Sequence, residues 1–151
     1  MRLTWIGAAM ALGVVACGGG DKQAQQTGTP AATPAAAASG PVVEVKMTGD
    51  GSTKAAFEPN TLTIAPGTTV RFVNVSGGPH NIAFHADSVP AGAAAVLNAA
   101  MANRMDNLSS PFLTQPNENY DVSFAGAPTG TYKSFCLPHV ALGMRITITV
   151  Q

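Results

Sequence analysis

From Pro41 onward the chain alternates apolar and polar residues in short runs, and this pattern leaves little room for anything but strands. Val43, Val45 and Met47 alternate with Glu44 and Lys46, and Leu62 and Ile64 with Thr61 and Thr63. Val70, Phe72 and Asn74 oppose Arg71, Val73 and Val75. Ile82 and Phe84 follow, then Tyr120, Val122 and Phe124, then Thr131 to Phe135, then Ile146, Ile148 and Val150. Turn signals separate the runs: Gly49-Asp50-Gly51, Pro66-Gly67, Ser76-Gly77-Gly78-Pro79 and Pro128-Thr129-Gly130. A period of two turns one face inward, and about seven such runs predict an all-β sandwich or barrel over residues 41–151. Residues 90–108, rich in Ala, Leu and Met, break the alternation and predict a short helix or an irregular excursion. Met101 and Met105, spaced i and i+4, read as helix packing.

The N-terminal part follows other rules. No apolar run reaches the roughly 18–20 residues of a membrane-spanning helix. Leu3 to Ala16 carries no charge and has the length of a signal-peptide apolar region, so residues 1–16 read as a leader that takes Trp5 with it. Val14-Val15-Ala16-Cys17 followed by three glycines resembles a bacterial lipoprotein signal, with Cys17 as the lipid attachment; an ordinary secretory signal cut nearby is the other reading. Residues 17–40 hold almost no large apolar side chain and are expected to form a disordered tether. Together these features predict an exported, membrane-anchored lipoprotein of the bacterial cell envelope, facing the periplasm or the cell exterior.

The chemistry-bearing residues gather near the C-terminus. Cys136, His139 and Met144 form a C-x2-H-x4-M run between two predicted strands, and His80 stands in the earlier Gly78-Pro79-His80-Asn81 turn. One thiolate, two imidazoles and a weak thioether are the ligand set of a blue-copper electron-transfer site. Cu(II) favours nitrogen donors and Cu(I) favours sulfur, so a rigid mixture of both changes little on redox and keeps the reorganisation cost low. With Cys17 taken by lipid, Cys136 has no disulfide partner, and a free thiol in an oxidising compartment is a liability unless a metal protects it. Three other readings stand beside this one. A Cys136–His139 pair could activate a nucleophile, though it leaves Met144 and His80 without a role. Zinc accepts Cys and His but gains little from a thioether. A copper carrier or storage protein is the third, although such proteins use exposed, exchangeable sites. His85 reads as a solvated side chain. Lys+Arg and Asp+Glu both number 8, a balance that argues against a nucleic-acid partner.

Residues 42–151 resemble plastocyanin-like cupredoxins. The resemblance rests on Phe57-Glu58-Pro59, Ile64-Ala65-Pro66-Gly67, Val70-Arg71-Phe72, Pro79-His80-Asn81-Ile82, Gly130-Thr131-Tyr132 and Cys136-x-Pro138-His139 through Gly143-Met144. It implies a Greek-key β-sandwich, one type 1 copper ion held by His80, Cys136, His139 and Met144, and a mobile one-electron carrier that is not an enzyme. It further implies that Asn81 hydrogen-bonds near the ligand loop and that His139 reaches the surface. Pro79, Leu137, Pro138, Ala141 and Leu142 would then form an apolar docking patch for redox protein partners, on a monomer. The chain departs from plant-type plastocyanins in lacking an acidic cluster, with six basic and seven acidic side chains scattered over residues 41–151, and in carrying Phe135 beside the cysteine.

Overall fold

The computed structural model describes residues 40–151. The leader, Cys17 and the tether expected over residues 17–40 lie outside the described residues, apart from Gly40.

Among the described residues, eight strands form two four-stranded sheets. They are β1 (Val42–Gly49), β2 (Ala55–Glu58), β3 (Thr61–Ile64), β4 (Thr69–Asn74), β5 (Ala83–Phe84), β6 (Asn119–Ser123), β7 (Gly130–Phe135) and β8 (Arg145–Val150). The first sheet runs β2-β1-β4-β6 and the second β3-β8-β7-β5. Both are mixed: β1 pairs parallel with β4, β3 pairs parallel with β8, and the other neighbours are antiparallel. The expected Greek-key sandwich is therefore present, with one strand more than the alternation marked. That extra strand is β2, whose four residues are too few and too alanine-rich to display a period.

Alternation sends Val45, Met47, Val70, Phe72 and Val122 of one sheet and Tyr132, Ile146, Ile148 and Val150 of the other into one shared core. Aromatic edges bridge the sheets there: the Phe124 and Tyr132 rings meet at 5.2 Å and 89°. Burying each such ring is worth about 1.5–3 kcal/mol relative to leaving it in water.

The segment that broke the alternation contains one helix, α1 (Ala93–Ala100), which seats Ala93 and Leu97 in the core. Met101 caps its end and is buried, but Met105 lies beyond the helix and is 48% exposed. The expected Met101–Met105 helix packing is thus half wrong, because the helix ends at Ala100 and no further turn carries Met105 inward. Residues 108–113 then run along the free edge of β5. The Phe84 amide donates to the Leu108 carbonyl at 2.9 Å, the Ser110 amide to the Ile82 carbonyl at 2.9 Å, and His80 and Leu113 exchange both backbone bonds at 3.0 and 2.8 Å. The stretch from His80 to Phe84 is thus flanked by this irregular segment on one side, and its last two residues by β7 on the other. Among the described residues no helix is long and apolar enough to cross a membrane.

Candidate metal centre

Three of the four expected ligands come from one hairpin loop. β7 and β8 stay in register to Phe135 opposite Arg145, and the Cys136 amide then donates to the Met144 carbonyl at 3.1 Å, closing the loop at its neck. Inside it the chain folds back on itself. The His139 amide donates to the Cys136 carbonyl and the Met144 amide to the His139 carbonyl, both at 3.2 Å. A single 3-10 turn, Val140–Leu142, ends at Gly143, whose φ of +83° is a left-handed conformation that favours glycine.

His80 arrives from the stretch that leads into β5, the neighbour of β7. Its Nε2–H donates to the Ser76 carbonyl at 2.8 Å, which fixes the tautomer and leaves the Nδ1 lone pair free. That atom points at the loop. Nδ1 of His80 lies 3.1 Å from Nδ1 of His139, and the Cys136 Sγ lies 3.7 Å from the first and 3.5 Å from the second. His80 and Cys136 are fully buried, Met144 nearly so, and His139 is 7% exposed.

Asn81 ties the cluster together. Its amide N–H points at the Cys136 Sγ at 3.4 Å, its Oδ1 accepts from the Leu137 amide at 2.7 Å, and its Nδ2 donates to the Ser109 Oγ at 3.2 Å.

Burial governs the electrostatics. Desolvation pushes the Cys136 thiol up, against the opposing pull of the Asn81 and His139 amides. Desolvation also lowers His80 below its ordinary 6.5, with the neighbouring His139 adding to the effect and the Ser76 carbonyl resisting it. The imidazole is therefore neutral and ready to ligate at neutral pH, whereas the thiol keeps its proton until a cation replaces it.

The donor set fits a copper ion. Bonds of about 2.0–2.3 Å from one ion to two imidazole nitrogens and a thiolate, at roughly trigonal angles, set the donors about 3–4 Å apart. The separations of 3.1, 3.5 and 3.7 Å lie within that range. The His80 Nδ1 lone pair faces the His139 Nδ1 at 3.1 Å, and a cation accepting from both imidazoles would suit that convergence. No carboxylate stands among these three residues to orient a His–Cys nucleophile.

Residues 43–151 match the family model of copper binding proteins, plastocyanin/azurin family. The chain belongs to that family. It is 45% identical over 109 residues to plastocyanin of Scenedesmus fuscus, covering 72% of this chain and 99% of that one. It is 37% identical to the chloroplastic plastocyanin of Physcomitrium patens, over 76% of this chain and 61% of that one. The solved structure of oxidized plastocyanin from Dryopteris crassirhizoma superposes with a TM-score of 0.56 at 29% identity, over 72% of this chain and all of that one. The protein is a plastocyanin-like cupredoxin, and its cofactor is one copper ion. As a family member it is a blue copper electron carrier.

These relatives correct the expected location. They are plastocyanins of algae and plants, one of them named as chloroplastic, and not lipoproteins of a bacterial envelope. The expectation rested on a short uncharged run ending in small residues, a composition that does not by itself specify an envelope lipoprotein.

The expected docking residues Pro79, Leu137, Pro138, Ala141 and Leu142 all stand exposed, and four of them lie in the loop that carries His139. Phe112, 38% exposed and next in sequence to the Leu113 that pairs with His80, joins the same kind of surface. A lone aromatic in the polar stretch 109–118 was the available signal for it. Ser76 and Ser109 also escaped sequence reasoning, since serine is common in loops. His85 is not simply solvated: it is half-buried and its ring lies 4.4 Å from the Phe135 ring.

Proposed function

We propose that His80, Cys136 and His139 hold the copper in a trigonal plane, that Met144 is its weak axial donor, and that the protein is a mobile one-electron shuttle. The reading rests on one observation, the convergence of two Nδ1 atoms and one Sγ within 3.7 Å in a fully packed pocket. Copper supplies the one-electron couple between Cu(I) and Cu(II). The chain supplies the rest. The β framework holds the donors in place between the two states, the apolar packing excludes water, and the Asn81 N–H directed at sulfur tempers its charge.

Four protein donors leave no coordination position for a substrate, so the reading is of a carrier and not an enzyme. The donors all come from one chain, which suits a monomer that meets its donor and acceptor proteins in turn. His139 is the ligand nearest solvent, and the exposed Pro79, Leu137, Pro138, Ala141 and Leu142 would seat a redox partner beside it.

The test is a Cu(II) titration of the full chain followed by visible and EPR spectroscopy. An intense blue thiolate-to-copper band with narrow copper hyperfine splitting, saturating at one ion, is the expected result. A pale spectrum with wide splitting would refute the thiolate assignment and favour a copper carrier or storage protein.

A further inference from the structure

The segment 108–113 contributes no donor, yet it is bonded along the whole stretch that carries His80. Its contact with the centre runs through one hydroxyl. The Ser109 Oγ accepts from the Asn81 Nδ2 at 3.2 Å, while Oδ1 of the same amide accepts from the Leu137 N–H at 2.7 Å. The amide therefore has one end on the ligand loop and the other on the irregular segment. Its backbone N–H meanwhile points at the Cys136 Sγ. Ser109 itself is 7% exposed and is held by its own backbone, with its amide donating to the Asp106 carbonyl at 3.2 Å and its carbonyl accepting from the Met105 amide at 3.1 Å. An acceptor fixed in this way favours the amide orientation that turns Nδ2 toward it and Oδ1 toward Leu137.

Ser110 is the natural comparison. Its Oγ accepts from the Ile82 amide at 3.0 Å, in the same segment and just as buried, but it has no bond to Asn81.

We propose that Ser109 is a positioning residue of the metal centre: it sets the Asn81 amide, and through it the Leu137 N–H and the hydrogen bond to the cysteine sulfur. This inference rests on the copper reading for its effect on potential, but its structural half does not need the metal. An N–H dipole aimed at sulfur stabilises the added electron, so weakening it lowers the reduction potential.

The test compares S109A, S109T and S110A in the full chain. Before copper is added, amide hydrogen exchange at Leu137 is expected to speed up about tenfold in S109A, to recover in S109T, and to stay as in the parent protein in S110A. After loading, the potential of S109A is expected to fall while S109T and S110A stay near the parent value. Unchanged exchange and potential in S109A would overturn the proposal. Equal effects from S109A and S110A would also overturn it, since they would mean general loosening of the segment. A parent protein that never turns blue would count against the copper reading instead, and the exchange comparison would still decide the role of Ser109.

Discussion

The His80 imidazole is aimed from behind, by the Ser76 carbonyl 2.8 Å from its Nε2. Ser76 is itself clamped to the end of β1: its Oγ accepts from the Gly49 amide at 3.3 Å and its own amide donates to the Met47 carbonyl at 3.4 Å. The clamp closes because Gly77, at φ +74°, lets two backbones touch. A Cβ there would stand 2.3 Å from the Gly49 carbonyl carbon. The strand that begins the domain thus sets the direction of a ligand carried by the other part of the core.

Gly77→Ala should therefore act on both stability and metal. The clash and the positive φ together should cost about 1–3 kcal/mol, read from denaturant unfolding of the metal-free chain. Copper affinity, read by competition titration, should fall about 10–100-fold, the usual consequence of disturbing the partner that orients a ligand. An alanine variant with parental stability and affinity would mean that the Ser76 clamp does not orient His80.

The two sulfur positions should separate cleanly. Cys136→Ser is expected to abolish the blue band and leave a folded domain, because the residue is small and the loop neck is made by backbone atoms. Met144→Leu is expected to keep copper and raise the potential, since it removes a donor that favours Cu(II). A Ser variant that stayed blue, or a Leu variant with the parental potential, would refute the respective assignment.

Copper binding should expel a proton. Burial raises the Cys136 thiol, so it is protonated at neutral pH, while His80, lowered from 6.5, is already neutral there. The thiol alone then accounts for about one proton per copper, and affinity should rise about tenfold per pH unit across the neutral range. Calorimetry in two buffers of different ionisation enthalpy measures the proton directly. A count near zero would mean that sulfur is not a ligand or is already ionised.

Tyr120 contributes to the alkaline limit, beside the buried Tyr132 and Cys136, which desolvation also raises. Desolvation raises Tyr120 from 10.0 to about 12, outweighing the opposing influence of Arg104, and its hydroxyl donates to the Ala102 carbonyl at 2.6 Å. The folded chain keeps this proton where the unfolded chain would release it. The contribution is complete below pH 10 and is lost as pH climbs toward 12. Tyr120→Phe should flatten that decline and cost about 1 kcal/mol at neutral pH. An unchanged slope between pH 10 and 12 would assign the loss to another group.

What the chain disclosed before folding followed the strength of its local physics. Alternation is a strong signal, so the strands around Val45, Phe72, Val122 and Ile148 were legible, as was the loop that gathers Cys136, His139 and Met144. β2 was hidden because Ala55 and Ala56 carry no period. The Leu108–Leu113 edge was hidden because its pairing is made by backbone groups with no side-chain pattern, and positive φ at Leu108 is not written in a leucine. Ser76 and Ser109 act through a carbonyl and a hydroxyl whose partners are distant in sequence. Residues 1–17 showed the opposite failure: their composition was plain, but composition alone could not specify a location.

The neck of the ligand loop, where the Cys136 amide meets the Met144 carbonyl, separates two kinds of sequence freedom. Below it, each residue of β7 and β8 answers to register and to the core. Above it, residues 137–143 meet the sandwich chiefly through the Leu137 amide on Asn81, and most of their side chains face outward. A lineage could lengthen, shorten or exchange that stretch as a cassette, changing potential and partner together, without asking the sandwich to fold anew.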